Sequence, residues 1–504
     1  MYPPSTSLIP VQVALTRFLE NQGSAAVFGH YPYWYLGTTP FRYLTGPILP
    51  SFLALLHKIL PNLSLFELMF GVIGICWVIG GVGVYLLVRR MRENEGLGRL
   101  MRVDLVALIP AFFYLFGPIA PFLFRFSDGL HLIAFSFLPF ILLEYLKYLK
   151  LPRRRGAILL VVLISFLILL DTLIIPTLVL GIAAIFLAQV GWKKMEDKLK
   201  QSLLLIAYCL LLVTLWYTPG YWFTLLGAPS FGGKGLVQVI IWLGKLLPAA
   251  LAFTFAIFSA KFFKKRNLLR DFCFYWLFIF GFLTLIRFLS DPDFWLDWSS
   301  YGMELQFGFA VLGGLMLSNL FDRQGYQISN IKNQIHILKI SKACGFAIKN
   351  ILFFICIFAL YFLIFTIVFS RYVLGTLQKD IASTVEYRIG KQLSEITKPG
   401  ERVFLSGTTA FWLNAFFDIP QVRGGVDRAA VNSEWRKAVW EIRDGATAEA
   451  AEKWLKTLNV KYLVVHTKES EEFYHDFVYP EKFENNQSFK KLFEQKGDII
   501  YGVD

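Results

Sequence analysis

Apolar stretches of about twenty residues recur along this chain, each closed by a short polar loop. A bilayer core about 30 Å thick takes roughly 20 apolar residues to cross as a helix. Ten spans are predicted, at 67–88, 103–123, 129–147, 156–173, 174–191, 202–221, 236–260, 271–289, 303–321 and 348–373. Only 171–176 separates the fourth from the fifth, so these two form a tight hairpin. Before the first span, 8–19 has apolar residues at helical spacing and predicts a helix lying along the membrane surface. The apolar run 47–60 is too short to span and is bracketed by Pro47 and Pro61, which suits an interfacial or re-entrant helix. After the last span the pattern changes. Short buried strands are predicted at 402–406, 462–465 and 499–503, with amphipathic helices at 435–442, 449–458 and 489–495.

Charge gives the spans a direction. The loops 89–102, 147–155, 193–200, 261–270 and 323–349 are basic, whereas 125–128, 171–176, 217–234 and 290–301 hold at most one lysine or arginine each. Basic residues near span ends stay in the cytoplasm, so the second set of loops, residues 1–65 and the tail face outward. The expected architecture is a polytopic α-helical membrane protein of the cell membrane with about ten transmembrane helices and a C-terminal extracytoplasmic α/β domain. Its divisions are an outer-face segment with interfacial helices at 1–66, the transmembrane helical domain at 67–376 and the soluble domain at 377–504. Nothing in 1–65 starts its own translocation, so a further helix before Met1 is expected, making eleven spans.

Composition narrows the class. The chain is 56% hydrophobic with 50 phenylalanines in 504 residues, which excludes an ordinary soluble protein. The net charge of +14 sits in clusters beside apolar spans, which points to membrane lipids and away from nucleic acid. Of the five cysteines four lie inside spans and no pair has metal spacing, so no disulfide framework or zinc site is expected.

Candidate chemistry gathers on the outward loops. Asp128 is the only acid of its loop, and His131 follows three positions on, where both share a helical face. Two readings stand: Asp128 as metal ligand or acceptor-activating carboxylate with His131 and Arg125 on phosphate oxygens, or Ser127 or Asp128 as a helix cap. The loop 290–301 carries Asp291, Asp293, Asp297, Trp298 and Tyr301, with Glu304 just beyond and Arg287 before it. Its carboxylates suit a divalent cation and its aromatics suit sugar rings, while a solvated turn in an aromatic belt is the plainer reading. Lys245 lies well inside a span, where an ammonium needs a partner or cavity unless it snorkels. In the tail, a strand followed by Ser406-Gly407-Thr408-Thr409 has the outline of a phosphate site without its spacing, and Gly424-Gly425 permits close backbone approach.

Pro32-Tyr-Trp-Tyr-Leu-Gly37 with Thr45-Gly-Pro47, Phe126-Ser-Asp-Gly-Leu-His131, and Phe411-Trp-Leu-Asn414 with Ile419-Pro-Gln-Val-Arg-Gly-Gly425 carry a resemblance over nearly the whole chain. The sequence is similar to prokaryotic membrane proteins of the GT-C glycosyltransferase superfamily, in the multispan group labelled 6-pyruvoyl-tetrahydropterin synthase-related. The resemblance implies transfer of a sugar from a polyprenyl-phosphate donor to a glycan, lipid or protein acceptor on the outer face. It makes Asp128 and His131 the catalytic candidates, with Asp128 also the candidate ligand of a divalent ion such as Mg or Mn. Substrate-binding candidates are Trp34, Arg42, Arg125, Lys245, Arg287, Asp293, Asp297, Trp298, Tyr301 and Glu304. The superfamily also places an acid in its first outer loop, whereas residues 1–66 hold Glu20 alone. A transporter or flippase, or a non-catalytic membrane scaffold, are the competing classes; two related halves with broken helices, the mark of many transporters, are not seen in the sequence. Single cysteines introduced into a cysteine-free variant should label from outside in 290–301 and in the tail, and not near Arg154; external labelling near Arg154 in intact cells would overturn the map.

Overall fold

The computed structural model describes residues 1–93, 100–127, 129–190, 195–227, 234–241, 243–244, 247, 267–289, 301–331, 356, 359–425, 432, 434–484 and 486–503. At 100–106, 286–289 and 317–331 it describes the backbone only. After a buried helix α1 (Ile9–Gln22) and a short α2 (Ile48–Ile59) comes a helical bundle. Its members are α3 (Leu65–Glu93), α4 (Leu100–Leu115), α5 (Ile119–Phe126), α6 (Leu130–Lys150), α7 (Arg154–Leu170), α8 (Ile175–Gln189), α9 (Met195–Thr214), α10 (Pro219–Gly227), α11 (Leu268–Leu289), α12 (Gly302–Ile331) and α13 (Ala359–Thr376). Six described helices are long and apolar enough to cross a membrane, seven if the α9–α10 pair counts as one span. Ten spans were expected. The difference has four sources: most of the expected seventh span lies outside the described residues, α7 has 17 residues, α10 turns away from α9 by 89°, and of α12 only Gly302–Met316, too short to cross, has described side chains.

The bundle follows from small residues and one buried amide. Close packing of α3 on α6 runs through Gly80 and Gly83, where a methyl group would meet Ser136 and Pro139 at 3.1 Å and nearer atoms of Tyr114 and Phe140. Between α4 and α5 the chain breaks at Gly117-Pro118, which orphans backbone groups in an apolar setting. Gln306 of α12 repairs the break: its Oε1 accepts from the Ile119 N–H and its Nε2 donates to the Tyr114 carbonyl, each at 2.9 Å.

The tail builds a four-stranded sheet in the order β1 (Arg402–Phe404), β2 (Val460–His466), β4 (Asp498–Val503), β3 (Phe489–Gln495). β1 and β2 are parallel, and the other pairings are antiparallel. Side chains alternate between two cores. Val403, Leu405, Val464 and Ile500 meet α14 (Val385–Ile396) and α15 (Gly407–Phe416). Phe404, Leu463, Val465, Ile499 and Tyr501 meet α16 (Glu434–Asp444) and α17 (Ala448–Thr457). The helices expected at 435–442 and 449–458 are therefore present, but 489–495 is a strand. Its apolar Phe489, Leu492 and Phe493 mimic a helical stripe because Leu492 is left over at a register shift between Lys491 and Phe493. Lys496-Gly497, both at positive φ, closes the hairpin to β4 as a two-residue turn.

The first segment belongs to the tail's core. Tyr31, Trp34, Tyr35 and Phe41 join the cluster of Trp435, Leu455 and Tyr501. Protein takes up the apolar side chains of α1, which contacts α15 and α2, in place of the lipid surface expected for 8–19. By contrast α2 leaves Phe52, Leu55 and Ile59 exposed, as an interfacial helix does. Trp34 is fully buried, its Nε1 donates to Asn414 Oδ1 at 2.8 Å, and its indole occupies the space a side chain at Gly424 would need. Trp34→Ala should cost about 3–5 kcal/mol and free the first segment for limited proteolysis. Gly424→Ala should do the same, its Cβ falling 2.3 Å from the indole, while Gly71→Ala, which meets nothing, should leave the melting temperature unchanged.

Candidate functional site

A polar layer lies where α6, α7, α8 and α12 end or begin. His131 is the second residue of α6. Its helix starts at Gly129, whose φ of +77° suits glycine and whose absent side chain makes room for Met69 and Ile73. Ser127 Oγ accepts from the Gly129 N–H at 3.1 Å and so shapes the turn without capping the helix. Asp128 itself lies outside the described residues.

The imidazole of His131 stands between two carboxylates that are fully buried. Nδ1 faces Asp171 Oδ2 at 3.7 Å and Nε2 faces Glu304 Oε1 at 3.4 Å. Asp171 ends α7, and its Oδ1 accepts the Leu173 N–H, capping the turn that begins the next span. Glu304 sits in the first turn of α12, where Thr177 Oγ1 donates to its Oε1 at 2.5 Å and Trp276 Nε1 donates to its carbonyl at 2.7 Å. Two buried carboxylates need a cationic neighbour, and the imidazole between them is placed to supply one. The layer is thus a charged clamp across four helices.

Aromatic side chains and the first segment roof this layer. Tyr221 on the bent helix α10 donates to Thr172 Oγ1 at 3.2 Å, and its ring lies 4.6 Å from Tyr217 and 6.5 Å from Tyr43. The Thr45-Gly46-Pro47 turn is seated on the end of α7: a methyl group on Gly46 would fall 1.7 Å from the Leu169 carbonyl oxygen. A glycine is required there by contact alone.

The other sequence candidates disperse. Glu304 joins His131, but its contacts are protein groups, and Tyr301 is packed at 6.1 Å from Phe280 in the core. Trp34 is interior to the tail, and Gly424-Gly425 receives that indole in place of a ligand. Arg42 lies 5.9 Å above Phe28. Arg125 lies over Phe126 and Tyr372 at 5.1 and 5.7 Å. Lys245, Asp291, Asp293, Asp297 and Trp298 lie outside the described residues, as does the side chain of Arg287. Sequence reading gave Asp171 little weight and missed Thr177 and Gln306. An acid inside an apolar hairpin was the available signal for Asp171; the two neutral residues had none.

A divalent ion does not fit the clamp, because its two carboxylates address opposite nitrogens of one ring and cannot converge on one point with it. Among the described residues no group of three histidine, cysteine or acidic side chains is placed to hold a metal. In the tail the start of α15 is likewise filled from within. Gly407 N–H donates to Asp476 Oδ2 and Thr408 N–H to Glu472 Oε1, at 2.9 and 2.6 Å, leaving no anion site there. Burial pushes the neighbouring Glu386 carboxyl above the usual range. Burial also acts to raise Asp498, but hydrogen bonds from His466, Ser470 and Arg388 hold it below its ordinary value. His466 and Thr409 complete an Asp–His–Thr order, yet Thr409 donates to the Ser406 carbonyl and all three are buried, so the set is structural.

No protein-family model matches the chain, and no curated protein does. Solved structures do. The apo crystal structure of the Archaeoglobus fulgidus oligosaccharyltransferase matches with a TM-score of 0.54 and 14% identity over 92% of this chain and 66% of that one. The same enzyme in complex with Zn and sulfate matches with a TM-score of 0.52 and 16% identity over 90% and 63%. The chain therefore spans less than two thirds of that enzyme's length. Mostly helical, with helices long and apolar enough to cross a membrane and a small C-terminal sheet, it has the GT-C-like fold of the archaeal oligosaccharyltransferase.

Proposed function

We propose that the chain transfers a sugar from a polyprenyl-phosphate-linked donor to an acceptor on the outer face of the cell membrane. The observation that carries this reading is the oligosaccharyltransferase fold across 92% of the chain, joined to a buried acid–histidine clamp at one end of its bundle. A fold alone hosts many chemistries, so the reaction is set by the residues of the site.

In the proposed reaction Asp128 takes the proton of the acceptor's nucleophile. That nucleophile forms a bond to the anomeric carbon as the carbon–oxygen bond to phosphate breaks, and polyprenyl phosphate leaves with both electrons. Arg42, Lys245 and Arg287 are the proposed partners of the departing phosphate. The aromatic and acidic loop 290–301 is the proposed sugar contact. His131, Asp171 and Glu304 act one step back: the clamp fixes the first turn of α6 three positions after Asp128. No step is assigned to a metal ion. Trp34, Tyr301 and Glu304 leave the list of substrate contacts because all three are buried in protein.

Radiolabelled polyprenyl-phosphate sugar supplied to membranes with the protein should yield free polyprenyl phosphate. Asp128→Asn should lower that release by about 100-fold or more with the protein still inserted, since asparagine also serves at a helix start. Full turnover in Asp128→Asn, or no release by the unaltered protein with any donor sugar, would sink the proposal. Removing one clamp carboxylate as Glu304→Ala should destabilise the bundle by about 3–5 kcal/mol, read as a fall in melting temperature, with Glu304→Gln retaining more of it.

A further inference from the structure

The helix α13 stands apart from the bundle. Its outward side chains Leu360, Leu363 and Ile367 are more than half exposed, and it reaches the bundle mainly through aromatic contacts such as Phe113–Tyr361 and Phe116–Phe365. A half-open cavity of about 320 Å³ results, with Ile73, Gly74 and Trp77 of α3, Pro121 and Phe124 of α5, and Phe369 of α13 among its walls. These walls are almost wholly apolar. Water needs two to four polar partners and finds few here. Empty space of this size forfeits dispersion contacts, and hydrocarbon is the solvent surrounding these helices.

At the same end of these helices two cations flank one ring. Arg125 and Arg371 lie 5.7 and 5.9 Å from the centre of Tyr372, which adjoins the cavity-lining Val373. The Nε of Arg125 is buried with no hydrogen-bond partner, and among the described residues no carboxylate pairs with either guanidinium. Arg125 follows the cavity-lining Phe124 and Arg371 lies two positions before the cavity-lining Val373, so an apolar slot with two guanidinium groups beside its wall matches a hydrocarbon chain that carries a phosphate. His131, Asp171, Glu304 and Tyr221 do not line it, so its occupant does not touch the clamp.

We propose that this cavity binds an acyl chain of an anionic phospholipid whose phosphate sits on Arg125 beside Arg371, a lipid resident in the fold and separate from any sugar donor. The lipid fills the gap that α13 leaves against α3 and α5, and fastens the helix from which the tail begins. Two independent features, the shape of the slot and the charge beside its wall, select it.

The full chain in detergent, offered phosphatidylglycerol, phosphatidylcholine or polyprenyl phosphate and examined by native mass spectrometry, tests this. Phosphatidylglycerol should be retained best by the unaltered protein. In Gly74→Phe, whose new side chain enters open space within the cavity, retention should fall about tenfold, whereas Gly71→Phe, also in open space but not lining the cavity, should leave it unchanged. Arg125→Gln should weaken phosphatidylglycerol about fivefold and erase its advantage over phosphatidylcholine. As a check on the unaltered fold, brominated phosphatidylglycerol should quench the fluorescence component lost in Trp77→Phe. Equal retention by Gly74→Phe, absence of that quenching, or stronger binding of polyprenyl phosphate than of phosphatidylglycerol would each overturn the inference, as would density for a protein segment in the cavity.

Discussion

One indole holds the two ends of this chain together. Trp34 lies against the backbone of Gly424 and Gly425, donates to Asn414, and is flanked by Tyr31 at 4.8 Å. Around it the backbone itself pairs across the same seam: Gln421 N–H donates to the Tyr33 carbonyl and Tyr35 N–H to the Arg423 carbonyl. Through this contact the first fifty residues become part of a sheet domain made by the last hundred. The Thr45-Gly46-Pro47 turn is then held down on α7, and the aromatic roof over the polar layer has a fixed height. A cavity at that seam would release more than local packing.

The clamp below the roof is governed by a different constraint, the cost of charge away from water. Asp171 and Glu304 lie among apolar helices and each accepts a defined hydrogen bond: from a backbone amide for one, from the Thr177 hydroxyl for the other. A single neutral substitution leaves the remaining charges unbalanced, so the three residues stand or fall as a set. Gln306 applies the same rule to a neutral problem, serving the donor and the acceptor that a proline break exposes. Polar residues in this bundle are placed where the backbone or another charge needs them.

Much of the fold was legible because the bilayer imposes a length on helices and the sheet imposes a period on strands. Three of the four strands and both helices of the tail's second layer follow from alternation and amphipathic spacing. The strand at Phe489–Gln495 was not legible, since one unpaired residue, Leu492, converts a period of two into a helical interval. Of the site, His131 and Glu304 were singled out separately, 173 positions apart in the sequence, and only the helix packing shows that they face each other. Trp34 and the glycine pair were singled out too, with ligands in mind. Both halves of that contact look like binding features because each leaves a vacancy that, in the folded chain, the other fills.

The same seam sets an order on synthesis. Trp34 is made 380 residues before its partner Asn414. At bacterial-to-eukaryotic elongation speeds of about 5–20 residues per second, the wait is roughly 20 to 80 s. Through that interval Tyr31, Trp34, Tyr35 and Phe41 have no protein core, and the loop they must close, 380 residues of 504, takes in most of the chain. An aromatic-rich segment with few charges is suited to resting in the headgroup region meanwhile. The sheet domain then folds around a piece that has been waiting at the surface, and any delay in the last hundred residues leaves the first fifty open to proteases.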